Sequence, residues 1–98
     1  MNQVELHNKF IKTVEVLKNI KGSHIDVAKV WGVKLNAVLL NDEKSWLTIN
    51  LSSKYLGIEK IPTDKWDFVV AHIVVIGGKY HCSIQRPNEI LYGIEEIN

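Results

Sequence analysis

The chain of 98 residues contains one cysteine, two prolines and one arginine, and it has no long uninterrupted apolar run. A lone cysteine, Cys82, excludes an internal disulfide and is typical of a reducing compartment. No apolar stretch reaches the roughly 18 residues that span a bilayer. The N-terminus has neither the basic region nor the apolar region of a signal peptide. We therefore expect a cytoplasmic protein without a membrane segment.

An excess of charge of one sign is also missing. Twelve basic and 11 acidic residues give a net charge of +1, and like charges do not form a run. A domain that binds DNA tightly without sequence preference usually has a clearer basic excess, so this balance weighs against such binding. The length and the apolar content of 46% are typical of a single globular domain over residues 1–98.

The central feature of the sequence is an apolar run, Phe68–Ile76, which two glycines separate from an alternating segment, Lys79–Arg86. A run rich in β-branched residues is typical of a strand buried within a sheet. Gly77 and Gly78 can both adopt positive φ, so they predict a two-residue hairpin turn. One face of the hairpin is then apolar, and the other mixes apolar and polar side chains. The expected pairs are Ile76 with Lys79, Val74 with His81, and His72 with Ser83.

The segments around this hairpin complete the predicted fold. Residues 3–20 have apolar residues at helical spacing, and residues 46–51 alternate as in a strand. We expect Ser52 or Ser53 to cap a short helix through residue 58 and residues 61–65 to form a loop. We expect Asn88 to cap a last helix. We therefore expect an α+β fold, in which an N-terminal helix packs on a four- to five-stranded antiparallel or mixed sheet and a short C-terminal helix follows.

Residues 24–40 fit two interpretations. As strands, they place apolar residues at most odd positions, and a turn near residues 30–32 makes a hairpin. As helices, they keep Val27, Trp31 and Leu35 at helical spacing. The β-branched content and the glycine in mid-segment favour the hairpin.

Three residues form the first candidate site. Asp26 lies near the start of one possible strand, and Asp42 and Lys44 follow an apolar run that ends at Leu40. Carboxylates from two neighbouring strands could hold Mg²⁺ through oxygen ligands, and the lysine would orient or deprotonate a water near a phosphate. Asp26 and Asp42 are therefore candidate metal ligands, and all three residues are candidate catalytic residues. The alternative is a solvated polar turn at residues 41–44.

The order of the segments matches a known pattern. A helix precedes the segment with Asp26, the next strand ends in Asp42–Lys44, Trp46–Leu51 and Asp67–Val70 follow, and a return strand leads into Pro87–Ile90. This order resembles the PD-(D/E)XK nuclease fold, a small α/β fold used for phosphodiester cleavage. The resemblance covers most of the chain. It implies a DNA-associated protein on a nuclease-like scaffold, with Mg²⁺ as the cofactor of an endonuclease.

Residues 24–43 also fit a helix-turn-helix motif. Ala28, Gly32, Val33 and Val38 supply a small residue, a turn glycine and two packing positions at suitable spacing. The second helix would then enter the major groove of DNA, as in a homodimeric regulator. On this interpretation the residues that face DNA are Lys34, Asn36 and Asn41.

The mixed face of the hairpin and the tryptophans give further candidates. His72 and His81 lie diagonally on adjacent strands, where two histidines can share a metal or a proton. The expected pairing brings no carboxylate to that face, which favours histidines that are simply packed and hydrogen-bonded. Trp31, Trp46 and Trp66 could stack on single-stranded nucleic acid, although packing in or around the core is favoured. The candidate nucleic-acid contacts are Lys34, Asn36 and Trp46.

The remaining class of function involves no catalysed reaction. A small, near-neutral domain with a broad sheet can work by binding another protein, as an inhibitor, an immunity-type partner or a subunit. Its sheet edges and exposed tryptophans would then carry the interface.

Overall fold

The structure is a computed structural model that describes residues 2–52, 68–86 and 89–98. Its elements are the helices α1 (Gln3–Lys18) and α2 (His24–Trp31), a 3-10 turn (Leu35–Ala37), and the strands β1 (Val38–Leu40), β2 (Trp46–Ser52), β3 (Phe68–Ile76), β4 (Lys79–Arg86) and β5 (Glu89–Ile97). Each strand pairs antiparallel with the next along the chain, so the sheet order is β1-β2-β3-β4-β5.

The predicted α+β architecture is confirmed, with an N-terminal helix on a five-stranded antiparallel sheet. Asn2 caps α1 because its Oδ1 accepts the backbone amide of Glu5 at 2.9 Å. The apolar stripe of α1 is buried against the sheet and comprises Leu6, Phe10, Val14 and Leu17. The helix predicted through residue 58, the loop at residues 61–65 and Trp66 lie outside the described residues.

β3 and β4 form the predicted hairpin in the predicted register. Gly77 and Gly78 have φ angles of 59° and 77°, a region that glycine adopts without the Cβ clash of other residues. All three expected pairs occur, including Val74 with His81. The turn therefore fixes which side chains of both strands point toward the helices.

Residues 24–40 do not form the favoured hairpin, because their first part is α2. Asp26 Oδ2 accepts hydrogen bonds from the backbone N (3.1 Å) and Oγ (3.0 Å) of Ser23, which closes the N-terminal turn. Gly32 ends the helix with a φ of 63°. These two end signals, together with the burial of one helix face, outweigh the β-branched content of the segment.

The helix-turn-helix interpretation is also wrong, because no second helix follows Gly32. Leu35–Ala37 makes only a 3-10 turn, and Val38–Leu40 is strand β1. Val38 pairs with Ile49, and both side chains are buried. Packing against β2 therefore holds residues 38–40 extended.

The predicted C-terminal helix is strand β5 instead. Gly93 in mid-segment would cost a helix about 1 kcal/mol relative to alanine, whereas the edge of β4 offers backbone partners along residues 89–97. The pairing shifts register twice, between Cys82 and Ile84 and between Ile84 and Gln85, so β5 contains extra, bulged residues.

The core lies between the two helices and one face of the sheet, the inner face. At its centre the Trp31 ring packs edge-on against Phe10, with 5.5 Å between ring centroids, and the Trp31 indole Nε1 donates to Thr13 Oγ1 at 2.8 Å. The strands bury Leu47, Ile49, Leu51, Val69, Ala71, Ile73, Cys82 and Ile84 on this side. The opposite, outer face is therefore not the one that α1 and α2 cover. None of the described helices is long and apolar enough to cross a membrane.

Candidate functional site

The acidic-lysine motif lies at the tip of the β1–β2 turn. Asn41 organises this turn, because its Oδ1 accepts the backbone amides of Ser45 (2.8 Å) and Trp46 (3.1 Å) and its Nδ2 donates to Ser45 Oγ at 2.6 Å. Asp42 and Glu43 are exposed. Residues 41–44 therefore form the polar turn that the sequence predicts.

Lys44 has a conformation and contacts that serve the fold. Its φ is 55°, a left-handed conformation that is uncommon outside glycine and asparagine. Its Nζ donates to the backbone carbonyl oxygens of Asn19 (2.8 Å) and Ile20 (3.4 Å), at the end of α1. Lys44 therefore links the β1–β2 turn to the segment that follows α1.

A groove of about 410 Å³ lies between this turn and the end of α1. Lys18 lines it, and the Lys18 ammonium lies 5.6 Å from the centre of the Tyr80 ring. Its described lining residues are Leu17, Lys18, Asn19, Ile20, Asp42, Glu43, Lys44, Ser45, Val75 and Tyr80. The structure thus brings Asp42 and Lys44 together.

Asp26 is not part of that groove lining. Its carboxylate caps α2, where it accepts two hydrogen bonds from Ser23. Across the described residues, no group of three or more His, Cys, Asp or Glu side chains is placed to hold a metal ion. The Mg²⁺ site and the catalytic roles of Asp26, Asp42 and Lys44 stay predictions.

The three candidate nucleic-acid contacts do not share one surface. Lys34 and Asn36 are exposed and precede β1, whose pairing runs from Val38–Ile49 to Leu40–Leu47, so they lie toward the Ser52 end of β2. Trp46 begins β2 at its other end. A single ligand contact to all three side chains would have to extend along the whole strand.

The outer face carries the two candidate histidines, His72 and His81, and a carboxylate that the expected pairing lacked. His81 lies opposite Glu96 of β5, and His72 lies opposite Ser83. The Glu96 carboxylate pairs with the Lys79 ammonium at 2.9 Å. This hydrogen-bonded ion pair lowers the pKa of Glu96 and raises the pKa of Lys79.

The most apolar part of the outer face lies at its turn end, beside the β1–β2 and β3–β4 turns. Leu39, Trp46, Val74 and Ile76 meet there, and we call these four residues the outer patch. Trp46 pairs directly with Val74, while Leu39 and Ile76 lie diagonally from it on the strands to either side. Leu39 is 52% exposed, Trp46 41% and Ile76 61%. Contiguous exposed apolar side chains of this kind mark interaction surfaces.

The sequence contained part of the signal for the outer patch. Val74 and Ile76 belong to the mixed face of the predicted hairpin, and the alternation of residues 46–51 turns Trp46 away from the core. Leu39 had no such signal, because the favoured hairpin at residues 24–40 placed it with the apolar positions. Its outward direction follows from its pairing with Thr48.

Comparisons of this chain with protein-family models, with curated proteins and with solved structures give no match. Function therefore has to be argued from the groove, the outer patch and the distribution of charge.

Proposed function

We propose that the protein is a small protein-binding module and that the outer patch is its interface. The observation that carries this proposal is the exposure of Trp46 between Leu39 and Ile76, on the face of the sheet opposite both helices. Exposed tryptophan within an aliphatic surround is typical of interface hot spots. A partner that covers these side chains removes their apolar surface from water, which favours association.

Polar groups surround the outer patch. Thr48 lies opposite Leu39, His81 opposite Val74, and Lys79 opposite Ile76. An apolar centre within a rim that can form hydrogen bonds is the usual anatomy of a specific protein interface. The arrangement therefore supports a defined contact rather than unspecific adhesion.

The two edges of the sheet are poorer candidates for the interface. β1 has three residues, and a short edge strand offers few backbone groups to a partner. β5 contains two register shifts and the acidic residues Glu89 and Glu96. Bulges and charges on an edge strand deter pairing with another chain. The outer face is therefore the better candidate for the interface.

Site-specific photo-cross-linking in cells tests the proposal. A benzophenone amino acid replaces Ile76, which is 61% exposed in the outer patch, and in a matched control it replaces Ile20, which is 96% exposed and follows α1. We expect a discrete protein adduct from position 76 and none from position 20. Trp46→Ser in the same chain should abolish the adduct.

The composition of the adduct shows which kind of partner is bound. Two copies of this chain, or this chain with another polypeptide, both support a protein-binding module. The absence of any adduct at position 76, with full-length cross-linkable protein present, contradicts the proposal. Equal adducts at positions 76 and 20 also contradict it, because exposure alone would then explain cross-linking.

A second candidate function, association with DNA, is favoured by the charge of the helical layer. Residues 2–37 contain six lysines against three acidic residues, a net charge of +3 in a chain whose total is +1. Lys29, Lys34 and Asn36 are exposed in this layer. A basic excess on one side of a molecule attracts the phosphate backbone.

Fluorescence anisotropy with a labelled DNA duplex tests this candidate. We expect affinity that falls steeply with salt and weakens in Lys34→Gln, while the matched variant Lys79→Gln on the sheet has no effect. Equal affinity in both variants, or no binding at low salt, contradicts it.

Incubation of supercoiled plasmid with Mg²⁺ or Mn²⁺ tests the endonuclease prediction, which requires nicking that Asp42→Ala abolishes.

A further inference from the structure

We infer that the occupant of the outer patch is a second copy of this chain, packed face to face in a two-fold dimer. The inference rests on the proposed function, because it names the partner of the same surface. Dimers with two-fold symmetry bring the same patch of both subunits together. The charge, the arrangement and the area of the outer face each favour this occupant.

The charge of the outer face favours an uncharged partner surface. Among its described side chains only Lys79 and Glu96 are charged, and they form an ion pair with each other. The other groups are apolar side chains, hydroxyls, amides and imidazoles. An acidic or basic partner would find no unpaired opposite charge here, whereas a second copy presents an equally neutral surface.

A two-fold axis along β3 fits the arrangement of side chains. It places Val74 and Ile76 against the same residues of the second copy, and it places β2 of one copy over β4 of the other. Trp46 and His81 are both level with Val74 in the register, so Trp46 then lies over His81 of the second copy, where the two rings can stack. The Lys79–Glu96 ion pair faces the β1–β2 turn of the second copy, whose charged side chains are of both signs.

The area of the face is sufficient for a weak dimer. Five strands about 4.8 Å apart, with three to nine residues each and about seven on average, at about 3.3 Å per residue cover roughly 550 Å² per copy. Two copies together bury roughly 1,100 Å², just above the approximately 1,000 Å² expected of a specific interface. We therefore expect a dissociation constant of about 1–100 μM, at the weak end for interfaces of this size.

Sedimentation equilibrium of the full chain across a concentration series tests the dimer. The mass should rise reversibly from 11.2 kDa to twice that value. Ile76→Asp should raise the dissociation constant at least about tenfold, because the two carboxylates would meet near the axis. Ile20→Asp, which changes an exposed isoleucine outside the face, should leave the dissociation constant unchanged. Ile76→Lys gives a second reading with the opposite charge, and circular dichroism checks that each variant is folded.

The result separates this inference from the proposed function. A mass of 11.2 kDa at every concentration overturns the dimer, while a cross-linked adduct with another polypeptide at position 76 would still support a protein-binding module. A dimer that Ile20→Asp weakens as much as Ile76→Asp also overturns the inference, because the contact would then lie elsewhere. Loss of the dimer in Ile76→Asp and in Ile76→Lys alone supports it.

Discussion

Lys44 combines an unfavourable backbone conformation with a favourable side-chain contact. A non-glycine residue in the left-handed region costs roughly 1–2 kcal/mol, and its φ is 55°. A cation at a helix C-terminus contributes about 0.3–1 kcal/mol, and the Lys44 ammonium donates to the carbonyl oxygens of Asn19 and Ile20. The lysine thus connects the β1–β2 turn to α1, which gives it a structural role independent of catalysis.

Two substitutions at Lys44 separate the cost of its backbone conformation from the contribution of its side-chain contact. Lys44→Ala and Lys44→Gly both remove the contact with α1, but only glycine relieves the penalty of positive φ. We expect the glycine variant to be more stable than the alanine variant by about 1 kcal/mol, measured by urea denaturation. Equal stabilities would show that the turn does not hold residue 44 in the left-handed region.

The Lys79–Glu96 ion pair should make the stability of the fold depend on pH. The pair lowers the pKa of Glu96 and raises that of Lys79. Its contribution to stability is therefore present between the ordinary carboxyl and lysine ranges, is lost as pH falls through the lowered Glu96 pKa, and is lost as pH rises through the raised Lys79 pKa. The effect on stability should be small because both side chains are about half exposed.

NMR titration of the Glu96 carboxyl carbon checks this account of the pair. In Lys79→Met the midpoint should move up toward the ordinary carboxyl range, because the hydrogen-bonded ammonium is gone. Glu89, on the same strand, serves as the internal control. A midpoint for Glu96 that is the same in both proteins would contradict the contact.

Among the elements, those defined by local signals were predictable, and those defined by neighbours were not. The β3–β4 register follows from Gly77–Gly78, since a two-residue turn leaves a single pairing. Residues 24–40 satisfied both periodicities, and the decisive signals were the ends of α2, the Ser23–Asp26 box and Gly32. β5 is a strand because β4 supplies backbone partners, which a linear pattern does not reveal.

The two candidate sites differ in the same way. The turn at residues 41–44 was predictable because its polar residues follow one another along the chain. The outer patch joins residues from three strands, and the position of Leu39 depends on the β1–β2 register. The pattern of apolar residues within residues 24–40 does not determine how β1 pairs with β2.

The β3–β4 turn allows a test of the element on which the sheet depends. A Cβ added at Gly77 would meet no atom within 4 Å, so any cost of substitution comes from its φ of 59°. We expect Gly77→Val to destabilise the protein by about 1–2 kcal/mol or more. Gly77→Asn should cost less, because asparagine tolerates this region better. Thermal unfolding measures both, and equal losses would contradict the turn geometry.

The whole molecule has two chemically different sides. The helical layer has a net charge of +3, while the described outer face is neutral and exposes the outer patch. Contacts on the two sides should respond differently to salt. Binding through apolar burial persists as salt rises, whereas binding to phosphates weakens steeply. Salt dependence therefore distinguishes a partner on the outer face from one on the helices.

The most direct test of the central claim is an NMR dilution series of the methyl-labelled chain, from millimolar to micromolar concentration. Docking of a second copy on the outer face predicts concentration-dependent shifts of the methyl groups of Leu39, Val74 and Ile76. The methyl groups of Ile20 and Ile25, which are also exposed but lie on the helical side, should stay unchanged. Shifts confined to Ile20 and Ile25, or no shifts at any concentration, would contradict the claim.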